Sequence, residues 1–252
     1  AVGNAVGSVT ANVGLIMCVA LICMECAMTR KQFGVKACLL LAAILALFGF
    51  TRDGQLSVLE SVLILVIFVG FLVESLIAAR QEQGSELPAQ EERPKIDKKT
   101  VLLNIGKFLL GAAGIVLGAQ LLIDNGSALA RMLGVPDAVI AATMIAIGTS
   151  LPELVTTLTA IKKKQASLSV GNIIGANIMD LTLIMPLCAV IQGKPMTVER
   201  QGMLLDIPAC LIICAAALIP ALVQGKFKRW IGYLIGGLYI VYLIIMFTCF
   251  GA

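Results

Sequence analysis

The sequence predicts an all-α membrane protein with about eight transmembrane helices. Of its 252 residues, 59% are hydrophobic and only 13% are charged, which is about half the charged fraction of a soluble domain. The mean hydropathy is +0.99, and a soluble enzyme of this length could not bury so much apolar surface. The chain has no histidine, which excludes histidine-based zinc sites and Ser-His-Asp triads.

Eight apolar stretches come close to the roughly 20 residues that a membrane helix needs. They cover 5–28, 35–51, 57–79, 101–123, 137–161, 168–192, 204–224 and 230–250. The polar segment 80–100 holds five basic and five acidic residues and two prolines, so we expect a flexible linker between two parts, 1–79 and 101–252.

The basic residues predict how the chain is oriented in the membrane. If the 80–100 linker is cytoplasmic, fifteen of the 19 Lys and Arg residues lie on or near that side and four lie on the other. Cytoplasmic loops carry this excess of positive charge, so the C-terminus should lie outside. We expect a plasma (inner) membrane protein whose surroundings are lipid. The net charge of +4 gives no reason to expect nucleic-acid binding.

The chain contains an internal repeat. Residues 3–16, GNAVGSVTANVGLI, match residues 171–184, GNIIGANIMDLTLI, at an offset of 168 positions. The number of intervening spans reverses the second copy, which predicts the inverted-topology repeat of many secondary transporters. The second copy extends over 144–186, whereas nothing precedes the first. We therefore expect the chain to lack about two N-terminal helices of a ten-helix protein made of two five-helix halves.

Two carboxylates lie deep within apolar sequence, Glu153 in one span and Asp180 in the next. Ionisable groups at this depth are costly and mark functional sites. Pro152 cannot donate a backbone hydrogen bond, so the helix should break near Gly148 and expose carbonyl oxygens. Carboxylates, hydroxyls and carbonyls form a hard oxygen ligand set that suits Ca²⁺ or Na⁺.

Several polar residues also have a purely structural interpretation. Pro152 could be a simple helix kink, and Asn172 and Asn177 could be hydrogen-bonding contacts between helices. Five other acidic residues lie near predicted span ends, where capping or snorkelling to the surface is expected. They are Glu25, Glu60, Glu74, Asp124 and Asp206. The eight cysteines, all in apolar runs, are expected to be packing residues.

The motifs GTSLPE at 148–153 and GNIIGANIMD at 171–180 resemble the second α-repeat of the calcium/cation antiporter superfamily, the sodium/calcium exchangers. GNAVGSVTAN at 3–12 is similar to the second half of the first α-repeat. The resemblance implies a transporter, not an enzyme, with no cofactor, in which Ca²⁺ and Na⁺ are exchanged by alternating access at a site near the membrane midplane.

The same resemblance implies which residues form the site. Glu153 and Asp180 would be ligands of the central ions, and Asn12 would sit opposite Asp180. The flanking sodium sites would use oxygens of Thr149, Ser150 and Ser8 and the carbonyl of Ala146. The glutamate of the first repeat, the partner of Glu153, has no position in this chain.

This sequence departs from the family pattern, in which Ser-Asn follows the second glycine of the repeat. The first copy has Ser8-Val9 and the second has Ala176-Asn177. Because Ala176 stands where the family has a serine, one possible sodium ligand is missing and the identity of the counter-ion is not determined. Coupling to H⁺ or K⁺ is therefore an alternative to Na⁺. A passive cation channel and an intramembrane aspartyl peptidase are more remote alternatives. The sequence lacks the Gly-x-Gly-Asp motif that such a peptidase would need.

Overall fold

The chain folds into eight helices within the described residues of the computed structural model, which are 2–24, 26, 28, 30–85, 98–135, 140 and 148–250. In chain order they are α1 Val2–Cys23, α2 Arg30–Phe50, α3 Val58–Ser85, α4 Lys98–Met132, α5 Leu151–Lys162, α6 Ala166–Gln192, α7 Gly202–Gln224 and α8 Arg229–Cys249. Two short strands, β1 Gln55–Leu56 and β2 Met196–Thr197, pair antiparallel.

Seven helices of the described part are long and apolar enough to cross a membrane. The prediction of an all-α membrane protein is therefore confirmed. Of the remaining predicted span, 137–161, the residues 137–139 and 141–147 lie outside the described part, and residues 151–161 belong to α5, which begins at Leu151. Helix α1 ends at Cys23, five residues before the predicted end of the first span, while α3 runs on to Ser85 and α4 begins at Lys98.

The internal repeat is visible in the backbone. A π-helical segment, Asn12–Met17, interrupts α1, and another, Asp180–Ile184, interrupts α6. The two segments begin at positions that the 168-residue offset makes equivalent. A π-helical turn inserts a residue and changes the direction of the side chains after it, and such turns are frequent at functional sites. The repeated sequence thus produces the same local irregularity in both helices.

Helix α1 occupies the centre of the bundle. It contacts α6, α7 and α8, and its Val6, Val9, Val13 and Met17 side chains are buried in the shared core. Helix α2 packs against α3, α6 and α7. By contrast, α3 and α4 expose many large apolar side chains, including Leu59 and Leu110. An outward apolar surface of this kind is what a lipid bilayer covers.

Local sequence signals set several helix ends. Ser57 and Glu60 form a reciprocal capping pair at the start of α3: the Ser57 backbone N–H donates to Glu60 Oε2 (2.8 Å), and the Glu60 N–H donates to Ser57 Oγ (3.2 Å). Gly193 and Gly225 follow α6 and α7 with positive φ angles of 61° and 72°. Glycine adopts this left-handed conformation without steric cost, so it ends both helices.

The contact between α1 and α8 is unusually close. A Cβ atom added to Gly14 would lie 2.7 Å from the Cβ and Cδ2 atoms of Tyr239, and one added to Gly236 would lie 2.6 Å from Cys18 Sγ. Only glycine allows the helices to approach this closely, as small residues do in other membrane bundles. Since Gly14 lies inside the π-helical segment of α1, this contact also holds that segment in place.

We predict that Gly14→Ala destabilises the protein, because the new methyl group overlaps the Tyr239 ring. Overpacking of this kind costs about 1–3 kcal/mol of unfolding free energy. The thermal midpoint in detergent can be followed with a thiol-reactive dye that reports exposure of the buried Cys210 and Cys214. Gly49→Ala is the matched control, because nothing lies within 4 Å of a Cβ there. An unchanged midpoint for Gly14→Ala would contradict the close contact.

Candidate functional site

The two repeat copies meet through a hydrogen bond between α1 and α6. Ser8 Oγ of the first copy donates to Asp180 Oδ2 of the second, at 3.2 Å. Ser8 is buried and Asp180 is partly buried. Asp180 is the first residue of the π-helical segment of α6, so the irregular turn and the carboxylate coincide.

A second bond joins the same two helices. Asn12 Nδ2 donates to Asn177 Oδ1 at 2.8 Å, and the two residues are only 1% and 0% exposed. Asn12 occupies the position equivalent to Asp180 and likewise begins a π-helical segment. Among the described residues, its Oδ1 atom and the Nδ2 atom of Asn177 are buried and have no hydrogen-bond partner. Unsatisfied buried polar atoms are costly, so these two atoms call for an explanation beyond ordinary packing.

Glu153 enters the site from the start of α5. The helix begins at Leu151, which places Pro152 in its first turn, where a missing backbone N–H breaks no hydrogen bond. Within the described part of the chain, Glu153 Oε2 and Ser150 Oγ are both buried without a hydrogen-bond partner. The start of this helix therefore carries a buried carboxylate oxygen and a buried hydroxyl oxygen on nearby residues.

Burial is the main cost of a negative charge on Asp180, and the nearby carboxylate of Glu153 adds a smaller cost. In the described part of the chain, neither carboxylate forms a salt bridge with a lysine or arginine. No group of three or more Cys, Asp or Glu side chains converges among the described residues either. The available ligands are thus two carboxylates together with neutral amide and hydroxyl oxygens.

Hydroxyl and amide groups fix α5 to α6 beside the carboxylates. Ser169 Oγ donates to Thr157 Oγ1 at 3.1 Å, and Asn172 Nδ2 donates to Thr156 Oγ1 at 3.1 Å. Thr156 Oγ1 in turn donates to the backbone carbonyl of Glu153 at 2.9 Å. The chain of bonds from Asn172 therefore ends on the residue that carries the carboxylate, and Asn172 serves as a contact between helices.

The structure brings most of the predicted residues to one region. Ser8 and Asp180 are bonded to each other, Asn12 is bonded to Asn177 on the same helix as Asp180, and Ser150 lies near Glu153 in the chain. Thr149 is exposed at the same helix start. Ala146, whose carbonyl was expected to serve a sodium site, lies outside the described residues.

A further polar cluster was missed by the sequence reasoning. Asp206 was expected to cap a helix or reach the surface, but it is only 7% exposed. It accepts hydrogen bonds from Tyr242 Oη at 3.1 Å and Gln201 Nε2 at 3.3 Å. Glu60 does cap its helix, and Glu74 pairs with Lys36 at 3.7 Å. Only the fold brings Tyr242, 36 residues away, to Asp206.

Comparison with known proteins identifies the family. A family model described as sodium/calcium exchanger protein matches residues 1–77 and 103–248, which is most of the chain. The chain belongs to the sodium/calcium exchanger family. The resemblance carried by the two repeat motifs is thereby confirmed.

Individual members of the family show where the similarity lies. Sodium/calcium exchanger MaX1 of Methanosarcina acetivorans is 34% identical over 144 residues, which are 57% of this chain and 41% of that protein. Inner membrane protein YrbG of Escherichia coli is 29% identical over 98% of this chain and 77% of its own length. Sodium/potassium/calcium exchanger 2 of Gallus gallus is 30% identical over 119 residues, 45% of this chain and 18% of that protein.

A solved structure has the same fold. The sodium-calcium exchanger NCX_Mj, soaked with 2.5 mM Na⁺ and 10 mM Sr²⁺, superposes with a TM-score of 0.75 and 26% sequence identity. The match covers 96% of this chain and 75% of that one. The family assignment and the helical membrane fold therefore agree.

We predict that Asp180→Asn stabilises the protein when no cation is present. The substitution removes the repulsion from Glu153 and the cost of keeping a charge away from water, while Ser8 can still donate to the amide oxygen. Replacing a strained functional residue in this way commonly adds roughly 0.5–2 kcal/mol. The measurement is the thermal midpoint in chelator-containing, Na⁺-free buffer. Asp124→Asn on exposed α4 is the control, and a lower midpoint for Asp180→Asn would contradict the electrostatic argument.

Proposed function

We propose that this protein is a secondary active transporter that exchanges Ca²⁺ for Na⁺ across the membrane. The observation that carries the proposal is the meeting of both repeat copies at Asp180, where Ser8 of the first copy bonds a carboxylate that also interacts with Glu153. Membership of the sodium/calcium exchanger family and the fold shared with NCX_Mj support the same conclusion.

The chemistry of the site suits hard cations. Two carboxylates bear up to two negative charges in surroundings of low polarity, and a cation between them offsets both their repulsion and their loss of hydration. Glu153 Oε2, Ser150 Oγ and Asn12 Oδ1 are buried oxygen atoms that no described group hydrogen-bonds, so they are available to a cation. A calcium ion takes six to eight oxygen ligands, and these atoms would supply part of that number.

Competition for the same charge explains exchange. One Ca²⁺ neutralises the carboxylate pair Glu153 and Asp180 at the central site, and several Na⁺ ions together would do the same. The flanking sodium sites would use oxygens of Thr149, Ser150, Ser8 and Ala146. A bound cation offsets the cost of the buried carboxylates in both loaded forms, so both can reorient, whereas an empty site keeps that cost. Alternating access of the two repeat halves then couples the two ion gradients.

We predict that Glu153→Gln and Asp180→Asn each reduce Ca²⁺ uptake by about tenfold to a hundredfold. An amide keeps the shape but loses the charge, and a contact to a charged group is worth about 1.5–3 kcal/mol. The protein is reconstituted in Na⁺-loaded vesicles, and the ⁴⁵Ca²⁺ uptake that the outward Na⁺ gradient drives is measured. Glu74→Gln and Asp124→Asn are matched controls outside the site. Normal uptake in either site variant would refute the carboxylate site.

The same vesicles distinguish the counter-ions. Uptake that follows the Na⁺ gradient at fixed pH supports the proposal, and a further requirement for K⁺ would indicate the coupling named in the Gallus gallus relative. Uptake that follows a pH gradient without Na⁺ would indicate H⁺ coupling instead. Uptake with no saturable counterflow would indicate a channel.

We further propose that the protein lies in the plasma (inner) membrane with residues 80–100 in the cytoplasm and the C-terminus outside. The fifteen-to-four distribution of Lys and Arg supports this orientation, and the name of the Escherichia coli relative, inner membrane protein YrbG, supports the choice of membrane. An epitope inserted within 86–94 should be reached only from the cytoplasmic side, and a C-terminal epitope only from outside. Antibody binding to both epitopes from one side of sealed vesicles would overturn the orientation.

A further inference from the structure

We infer that Asn177 is a positioning residue: it orients the carboxamide of Asn12 so that Asn12 presents its oxygen, and not its NH₂ group, to a cation. The inference rests on the proposed function and extends it to a residue that would not itself contact the ion. It is carried by the Asn12–Asn177 hydrogen bond of 2.8 Å and by the buried, unpartnered Oδ1 atom that this bond leaves on Asn12.

A carboxamide has one end that attracts a cation and one that repels it. Its oxygen accepts, whereas its NH₂ group only donates and carries partial positive charge. Asn177 Oδ1 accepts a hydrogen from Asn12 Nδ2, so the amide of Asn12 cannot make a half turn on its own without losing that bond. The positioning role requires Asn177 to keep its own orientation, because a half turn of both amides would form the hydrogen bond in the opposite direction. Since both side chains are at most 1% exposed, water cannot replace the lost partner at low cost.

The partners on the two helices are chemically matched. Ser8, a donor, faces the Asp180 carboxylate, whereas Asn177 offers an acceptor to the Asn12 amide. In the 168-residue repeat, Asn177 is equivalent to Val9, and Ser8 is equivalent to Ala176. Each copy thus has only one of the two polar residues, and that residue forms the hydrogen bond to the other copy.

The two departures from the repeat pattern lie beside the residues that form these bonds. Asp180 is a carboxylate and only accepts hydrogen bonds, and the Ser8 hydroxyl supplies a donor to it. Asn12 has an NH₂ group that must be bonded away from a cation, and Asn177 supplies the acceptor for it.

The alternative is that Asn177 only fastens α1 to α6. A fastening residue would lower stability when replaced, and any effect on ion binding would be independent of Asn12. A positioning residue acts through Asn12, so its effect on ion affinity should disappear once Asn12 no longer supplies an oxygen. A double-mutant cycle measures this dependence directly.

The experiment measures the dissociation constant for Ca²⁺ by isothermal titration calorimetry on the purified full-length protein. The variants are Asn177→Leu, Asn12→Ala and the double substitution. Loss of one buried hydrogen bond predicts that Asn177→Leu weakens Ca²⁺ binding by about tenfold in the natural background. In the Asn12→Ala background the same substitution should change the constant by less than about twofold.

Controls separate positioning from general damage. Asn125→Leu makes the same exchange on the exposed face of α4 and should leave Ca²⁺ binding within about twofold of the natural protein. Thermal midpoints report the structural cost of each variant. If Asn177→Leu does not yield monodisperse protein, Asn177→Ser removes the amide with a smaller change in packing and takes its place in the cycle.

Each possible result either supports or overturns the positioning role of Asn177. Equal losses of affinity in both backgrounds, or no loss on replacing Asn177, would overturn the positioning role while leaving the proposed function intact. Absence of Ca²⁺ binding by the natural protein would overturn the proposed function and this inference with it. A loss of affinity confined to the background that contains Asn12 supports the inference.

Discussion

The burial of two carboxylates inside an apolar bundle is the constraint around which the site is organised. Burial is the main cost of the Asp180 charge and the nearby charge of Glu153 adds a smaller one, and in the described part of the chain neither carboxylate has a basic partner. A protein selected only for stability would replace such groups, because buried charges without partners are expensive. This cost is explained if the partner of the two carboxylates is a cation that binds and is released during transport. The unpartnered oxygens beside them belong to the same arrangement.

The surrounding helices keep the two carboxylates in position without neutralising them. Helix α1 is held by α8 through contacts that only glycine permits, as at Gly14 and Gly236. Helix α5 is tied to α6 by hydroxyl and amide bonds, one of which reaches the backbone of Glu153. These bonds use neutral groups, so they hold the helices together without neutralising the charge of the site.

The two repeat copies are alike in backbone and different in chemistry. Both helices change to π-helical geometry at the equivalent positions 12 and 180, yet one position holds an amide and the other a carboxylate. The hydrogen-bond partners differ accordingly, with a hydroxyl donor for the acid and an amide acceptor for the Asn12 NH₂ group. The two copies therefore share a backbone framework, and the residue types at equivalent positions decide which atoms could contact a cation.

The sequence by itself determined the membrane character, the approximate helices and the repeat, because apolar length, loop charge and local self-similarity are properties of short segments. It also singled out Glu153 and Asp180, since charge within apolar sequence is visible without a fold. The tertiary structure decided which polar atoms meet: that Ser8 bonds Asp180, that Asn177 bonds Asn12, and that Asp206 is buried against Tyr242. These contacts join residues 36 to 172 positions apart, and only the packing of the helices brings them within hydrogen-bonding distance.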